Sequence, residues 1–116
     1  MSLESDLSAL LLTVCPRVFP DVAPATTAKP FITWQQVGGD VIQPINGLPD
    51  KRNAMVQINC WAERRMDANA LALAVEAALV AATALVARPM SALVATNDDD
   101  TGLRGAMQDF SIWAAR

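Results

Sequence analysis

Two stretches of the chain alternate between apolar and polar side chains, as half-buried strands do. The first is "NAMVQINCWAE", residues 53–63, and the second is "LRGAMQDFSIWA", residues 103–114. In the first, one face carries Val56, Ile58, Cys60 and Ala62, and the other carries Met55, Gln57, Asn59 and Trp61. In the second, one face carries Ala106, Gln108, Phe110 and Ile112, and the other carries Met107, Asp109, Ser111 and Trp113. Both stretches are predicted to be antiparallel strands.

The acidic segment "NDDDTG", residues 97–102, lies between the second of these strands and another β-prone stretch. That stretch is "MSALVAT", residues 90–96, which follows Pro89. Turn-forming residues between two strand-like runs are typical of a hairpin. We therefore predict a hairpin whose tip carries three consecutive aspartates.

Two other stretches have helical periodicity. "SLESDLSALLLTV", residues 2–14, places Leu3, Leu7, Leu10, Leu11 and Val14 on one apolar stripe. Ser2 is placed to cap this helix, and Pro16 is placed to end it. "MDANALALAVEAALVAATALVA", residues 66–87, is the longest predicted element, with Asp67 as its natural N-cap.

The long helix has few polar residues. Asn69, Glu76 and Thr83 recur every seven positions, and beyond the first turn every other residue is Ala, Leu or Val. A helix with its back in water carries a broad polar face. This helix is therefore expected to be covered by a second layer of the chain or by a neighbouring subunit. A membrane span is disfavoured, because Glu76 lies in mid-segment and the sequence offers no second span.

The middle of the chain supplies the remaining elements. Residues 15–30 contain four prolines, which predicts an extended connector. "FITWQQV", residues 31–37, is predicted to be a strand that a Gly-Gly pair turns, and "DVIQPI", residues 40–45, a short edge strand. "NGLPDKR", residues 46–52, is predicted to be a loop.

These elements predict an α+β fold. We expect a mostly antiparallel sheet of about four to five strands, with the N-terminal helix and the long alanine-rich helix packed on it. A chain of 116 residues is the size of one domain, so residues 1–116 are expected to form a single unit.

Composition adds a reason to expect assembly. Hydrophobic residues make up 53% of the chain and charged residues 18%, which is apolar for so small a domain. Surface buried against other copies or partners would account for this. The net charge of −3 and the absence of a basic run argue against tight nucleic-acid binding.

The chain has no histidine and no tyrosine. Ser-His-Asp and Cys-His nucleophile systems, and zinc sites with histidine ligands, are therefore excluded. Cys15 and Cys60 lie in apolar patterns and are predicted to be buried free thiols of a reducing compartment. The acidic start "MSLESDL" does not resemble a secretory signal.

The aspartate triplet is the first candidate site to test against a known geometry. A calcium loop that began at Asp98 would need an acid at position five and glycine at position six, where the chain has Gly102 and Leu103. A solvated turn is therefore predicted, with no metal and no cofactor. Asp109 on a strand beside Arg104 is the best-placed carboxylate for acid–base chemistry, but surface charge is the favoured interpretation.

Four blocks of the sequence, in this order, resemble the phage tail-completion family. They are "SLESDLSALLLTVCPRVFPDVAP", "PFITWQQVGGD", "DKRNAMVQINCWAERRMDANALALAVEAAL" and "DDDTGLRGAMQDFSIW". The resemblance covers nearly the whole chain and depends on the order of the blocks.

The resemblance implies a small α+β subunit that acts as a tail terminator or tail-to-head joining protein. Such subunits form a ring, typically hexameric, on the last ring of the tail tube, where they stop polymerisation and offer a face to the head connector. The implied partners are other copies of the chain, the tail tube protein and the head connector, with DNA passing through the lumen. The implied location is the host cytoplasm during assembly and then the tail–head junction. Neither catalysis nor a cofactor is implied.

Six residues are candidates for interaction surfaces: Asp98, Asp99, Asp100, Lys51, Arg52 and Glu76. The acidic turn and the loop 46–52 are candidate lumen or docking surfaces, since an acidic lumen would repel DNA phosphates. Two alternatives from other classes are a small cytosolic adaptor or dimeric binding module, and a hydrolase that depends on carboxylates or a metal.

Overall fold

The computed structural model describes residues 3–39, 51–83 and 85–115. It contains two helices and six strands among these residues. In chain order they are α1 (Leu3–Leu12), β1 (Val18–Pro20), β2 (Phe31–Gly38), β3 (Lys51–Ala62), α2 (Arg65–Ala81), β4 (Val86–Pro89), β5 (Val94–Asp98) and β6 (Leu103–Ala115). The predicted α+β class is confirmed, with six described strands where about four to five were expected.

The strands form one sheet in the order β1-β2-β3-β6-β4, and β5 also pairs with β6. All pairings are antiparallel except that of β1 with β2. The longest ladder joins β3 to β6 and runs from Lys51 opposite Ala115 to Ala62 opposite Arg104. The two strands predicted from alternation are therefore the central pair of the sheet.

Both helices pack on one face of the sheet, which we call the helix face. Alternation along β3 and β6 sends Val56, Ile58, Phe110 and Ile112 to this face, where all are buried. Leu3, Leu7 and Leu11 of α1 and Val75 and Leu79 of α2 join them in one apolar cluster. Removal of this apolar surface from water stabilises the fold at about 25 cal/mol per Å².

The opposite face of the sheet carries no helix in the part of the chain that the structure describes. We call it the open face. Met55, Gln57, Met107, Ser111 and Trp113 of the central strands lie there and are half-buried. A two-layer domain thus leaves one side of its central strands accessible.

The boundaries predicted for the long helix are wrong at both ends. The helix begins at Arg65, and Arg64 occupies the N-cap, so Asp67 lies in the first turn instead. It ends at Ala81, whereas the sequence predicted a helix that continues to residue 87. Beyond it, Val86–Pro89 forms β4 against β6, because strand pairing outweighs the weak helical preference of this segment.

The predicted strand at residues 90–96 is also displaced. Pro89 ends β4, at the edge of the sheet, where proline is tolerated. Strand structure resumes at Val94 and continues to Asp98, so the hairpin with β6 is confirmed with its first strand shifted toward the C-terminus.

Smaller differences concern the middle of the chain. The predicted connector 15–30 contains the three-residue strand β1. Residues 51 and 52, predicted to be in a loop, begin β3 because they pair with the end of β6. The predicted edge strand at residues 40–45, the rest of the predicted loop and the Ser2 cap lie outside the described residues. Neither described helix is long and apolar enough to span a membrane.

Candidate interaction surfaces

The side of α2 that faces away from the sheet is apolar and uncovered. Ala68, Ala72, Val75 and Leu79 of the helix are buried against the sheet. On the opposite side Met66, Leu73 and Val80 are 82%, 56% and 60% exposed. We call this stripe, completed by the exposed Ala70 and Ala77, the α2 outer surface. The cover predicted for this helix is not supplied by any described part of the chain.

The open face holds a groove beneath β4 with a volume of about 520 Å³. We call it the β4 groove, and the residues that line it include Met55, Val86, Arg88, Met90, Ser111 and Trp113. Val86 lies opposite Trp113 and Arg88 opposite Ser111, which places all four side chains on the open face. Val86 is 62% exposed, so apolar surface is available to a partner here as well.

The acidic turn is built as a tight hairpin tip. Asp98 ends β5, and its Oδ1 accepts a hydrogen bond from the backbone N of Asp100 at 3.1 Å. Gly102 adopts φ of 73°, a left-handed conformation that favours glycine. Asp99 and Asp100 are exposed. In the described ranges no three acidic or cysteine side chains are grouped as metal ligands.

Arg65 ties this hairpin to the start of α2. Its guanidinium donates to the backbone O of Thr96 at 2.7 Å, to Asn97 Oδ1 at 3.1 Å and to the backbone O of Gly105. Arg104 donates to the same Asn97 Oδ1 at 3.1 Å. This role of Arg65 leaves no local pattern in the sequence, because the acceptors are more than 30 residues away along the chain and most are backbone atoms.

Lys51 and Arg52 lie at the far end of the central ladder from the hairpin tip. Arg52 forms an ion pair with Glu4 of α1 at 2.9 Å and donates to Gln36 Oε1 of β2 at 2.8 Å. The guanidinium therefore helps to hold the first helix and the second strand in place. Any role of these two residues in an interface remains a prediction.

Glu76 points toward the sheet from the flank of α2. Its Oε1 accepts a hydrogen bond of 2.8 Å from Nε2 of Gln108, which is buried on the helix face. Gln108 also donates to the backbone O of Ser91 at 2.8 Å. The Glu76 carboxylate is thus used within the subunit, and an interface role for Glu76 stays a prediction.

A second groove, of about 370 Å³, lies at the other end of the open face. Trp61 lies on its wall and donates from Nε1 to Thr33 Oγ1 at 3.3 Å. The Trp61 ring packs over Gly105, where an added Cβ would come within 2.8 Å of the ring. Asp98 and Asp21 also line this groove, so the acidic tip borders an apolar floor.

The structure separates the two residues proposed for acid–base chemistry. Asp109 and Arg104 are five positions apart on β6, an odd number, so their side chains point to opposite faces of the sheet. Asp109 is half-buried on the open face, where its Oδ1 has no hydrogen-bond partner within the described residues. The prediction that they lie beside one another is wrong.

Both cysteines are buried and free, as predicted. Burial, and to a smaller extent the neighbouring Cys15 thiol, raises the pKa of the Cys60 thiol from its ordinary value of 9.0 to about 12. A thiol with so high a pKa stays protonated near neutral pH and is a poor nucleophile.

Comparison with known proteins identifies a family for this chain. A family model with the description "tail completion protein gp17" matches residues 3–115. A comparison with curated proteins finds no match to this sequence. Because the family match extends over nearly the whole chain, the chain belongs to the phage tail-completion family.

Proposed function

We propose that this chain is the subunit of a ring that caps the phage tail tube. The family resemblance implies that the ring is typically hexameric. The ring ends tube polymerisation and presents a face to the head connector. The observation that carries this proposal is the family match over residues 3–115. In this role the chain catalyses nothing, holds no cofactor and lies at the tail–head junction after assembly in the host cytoplasm.

Self-association is supported by the α2 outer surface. Three large apolar side chains stand exposed there, and the stripe they form bears no charged group. Full burial of a Leu, Val or Met side chain contributes about 1.5–3 kcal/mol. Contact with a neighbouring subunit that covered this stripe would therefore be stabilised by the burial of several apolar side chains.

Two docking surfaces are supported by the ends of the central ladder. Asp98–Asp100 and Lys51–Arg52 lie at opposite ends of a twelve-residue pairing, roughly 35 Å apart at the rise of a β-strand. A ring between a tube and a connector needs contact surfaces on two opposite sides. We assign one end of the ladder to the side of the ring that contacts the tube and the other end to the side that contacts the connector. We assign Glu76 to the wall between subunits.

Charge supports the passage of DNA. The chain has a net charge of −3, and the triplet places three carboxylates at one tip. A lumen lined by acidic groups would repel the phosphates of the genome and would not hold it.

Deletion of the gene from its phage tests this role. We expect tails of irregular length, or tails without heads, and rescue of infectious particles by the wild-type gene supplied in trans. A deletion that leaves tail length and head attachment unchanged would contradict the proposal.

A further inference from the structure

We infer that the α2 outer surface of one subunit seats in the β4 groove of the next subunit. This interface rests on the ring proposed above and identifies the two surfaces that would build it. The occupant of the groove is thus a second copy of this chain, and the contacting element is its long helix.

One surface is a helix stripe and the other is a recess in the sheet, and both carry exposed apolar side chains. The α2 outer surface is convex, with Met66, Leu73 and Val80 as its largest side chains. The β4 groove is concave, and Val86 and Met90 are exposed on its walls. Interface cores are rich in Met and aromatic residues, and Met66 on the helix and Met55, Met90 and Trp113 in the groove are of these types.

The charges are complementary as well. Asp67 lies at the margin of the α2 outer surface and is exposed, and Arg88 is exposed on the wall of the groove. Neither forms an ion pair with another described residue. The two lie on opposite sides of the sheet, so they cannot pair within a subunit, but they can meet between subunits.

The placement of the surfaces predicts how subunits would assemble. The α2 outer surface points away from the helix face, and the groove opens on the other side of the sheet. Two different surfaces on opposite sides make a heterologous contact, which closes into a ring when the rotation permits. Pairing of two α2 helices about a two-fold axis would instead stop at a dimer.

The contact is small, so the pair is expected to be weak. A helix of 17 residues is roughly 25 Å long. One exposed stripe of that length buries less than the ~1,200 Å² of a standard stable interface. Closure of the ring, in which every subunit makes two such contacts, would strengthen it.

Two variants test the inference by mixing. Leu73→Asp breaks the α2 outer surface and leaves the groove intact, whereas Val86→Asp breaks the groove and leaves the helix intact. Sedimentation velocity is run on each variant, on their mixture and on the wild type, up to millimolar concentration. We expect larger assemblies from the wild type, monomers from each variant alone, and heterodimers but nothing larger from the mixture.

Several results would overturn the inference. If Val86→Asp assembles as the wild type does while Leu73→Asp does not, α2 pairs with itself. A mixture that forms no heterodimer, or a wild type that stays monomeric throughout, would also contradict it.

Val22→Asp, at an exposed valine outside both surfaces, is the matched control. If a variant fails to fold, Val80→Asp or Met90→Asp replaces it, since both residues are exposed.

The failure of this interface is distinguishable from the failure of the proposed function. If Val86→Asp protein still ends tube growth and supports head joining, the interface is wrong and the capping role stands. If the mixture forms heterodimers but the wild type never acts on tails, the interface stands and the capping role is wrong.

Discussion

Gln108 is a buried polar residue on the helix face of β6, and its side chain connects β6 to α2 and to the segment between β4 and β5. It donates 2.8 Å hydrogen bonds to Glu76 of α2 and to the backbone O of Ser91, between β4 and β5. Alternation predicted the face on which Gln108 lies, and spacing predicted the polar stripe that contains Glu76. Their contact was not predictable, because it depends on how the helix lies across the sheet.

Replacement of Gln108 should therefore destabilise the fold. In Gln108→Ala the Ser91 carbonyl and the Glu76 carboxylate lose a buried donor, which costs about 1–3 kcal/mol. Urea unfolding gives the free energy, and Gln57→Ala on the open face is the control, with an expected change under about 0.5 kcal/mol. Equal effects of the two substitutions would show that the Gln108 contacts add nothing.

Cys60 predicts a loss of stability at alkaline pH. Its pKa is about 12 in the folded protein against 9.0 for a free thiol, so between these values only the unfolded chain loses the proton. The stability of the folded protein is therefore unaffected by this thiol below pH 9.0 and falls as the pH rises from there toward about 12. In this pH range we expect the unfolding free energy of the wild type to fall faster than that of Cys60→Ala. The difference in slope is up to about 1 kcal/mol per pH unit. Parallel pH profiles from urea titrations would contradict this.

At the scale of elements, the boundary between α2 and β4 shows where sequence patterns stop being informative. Alanine-rich residues beyond Ala81 have helical propensity, yet Val86–Pro89 pairs with β6. Strands β3 and β6 were predictable because alternation and burial agree over residues 54–62 and 106–114. The end of α2 was not, because an edge strand of four residues has little pattern of its own and is determined by its partner.

Arg65 sets the position of the hairpin relative to α2, so its loss should loosen β5. In Arg65→Ala three acceptors on the hairpin each lose one donor, and two of them are backbone carbonyls. We expect amide hydrogen exchange in β5 to accelerate at least about tenfold, for a loss of about 1–3 kcal/mol.

Arg64→Ala is the matched control for this change. Arg64 is the exposed N-cap residue next to it, and its side chain makes no capping hydrogen bond. Equal exchange rates in the two variants would show that the Arg65 contacts do not hold the hairpin.

At the scale of the whole molecule, part of the exposed apolar surface is gathered on the α2 outer surface and in the β4 groove. The composition predicted that surface would be buried against other copies, and the structure shows the α2 outer surface uncovered in the described chain. The sequence did not predict the β4 groove, because its walls come from three strands that are distant along the chain. A surface that exists only after folding leaves no local pattern in the sequence.

The acidic tip can be tested without disturbing its turn. In the triple variant Asp98→Asn, Asp99→Asn, Asp100→Asn, residue 98 keeps the Oδ1 that accepts from the backbone N of residue 100. We expect stability within about 0.5 kcal/mol of wild type and altered tail length or head joining. Glu63→Gln, at an exposed acid outside the tip, is the control. An unchanged yield of infectious particles would remove the tip from the docking surfaces.

The most direct test of the capping role is electron microscopy of purified tail tubes with and without this protein. The proposed function predicts a ring at one end of each tube and no further growth when tube subunits are added. Tubes that bear no ring and continue to lengthen in the presence of the folded protein would contradict it.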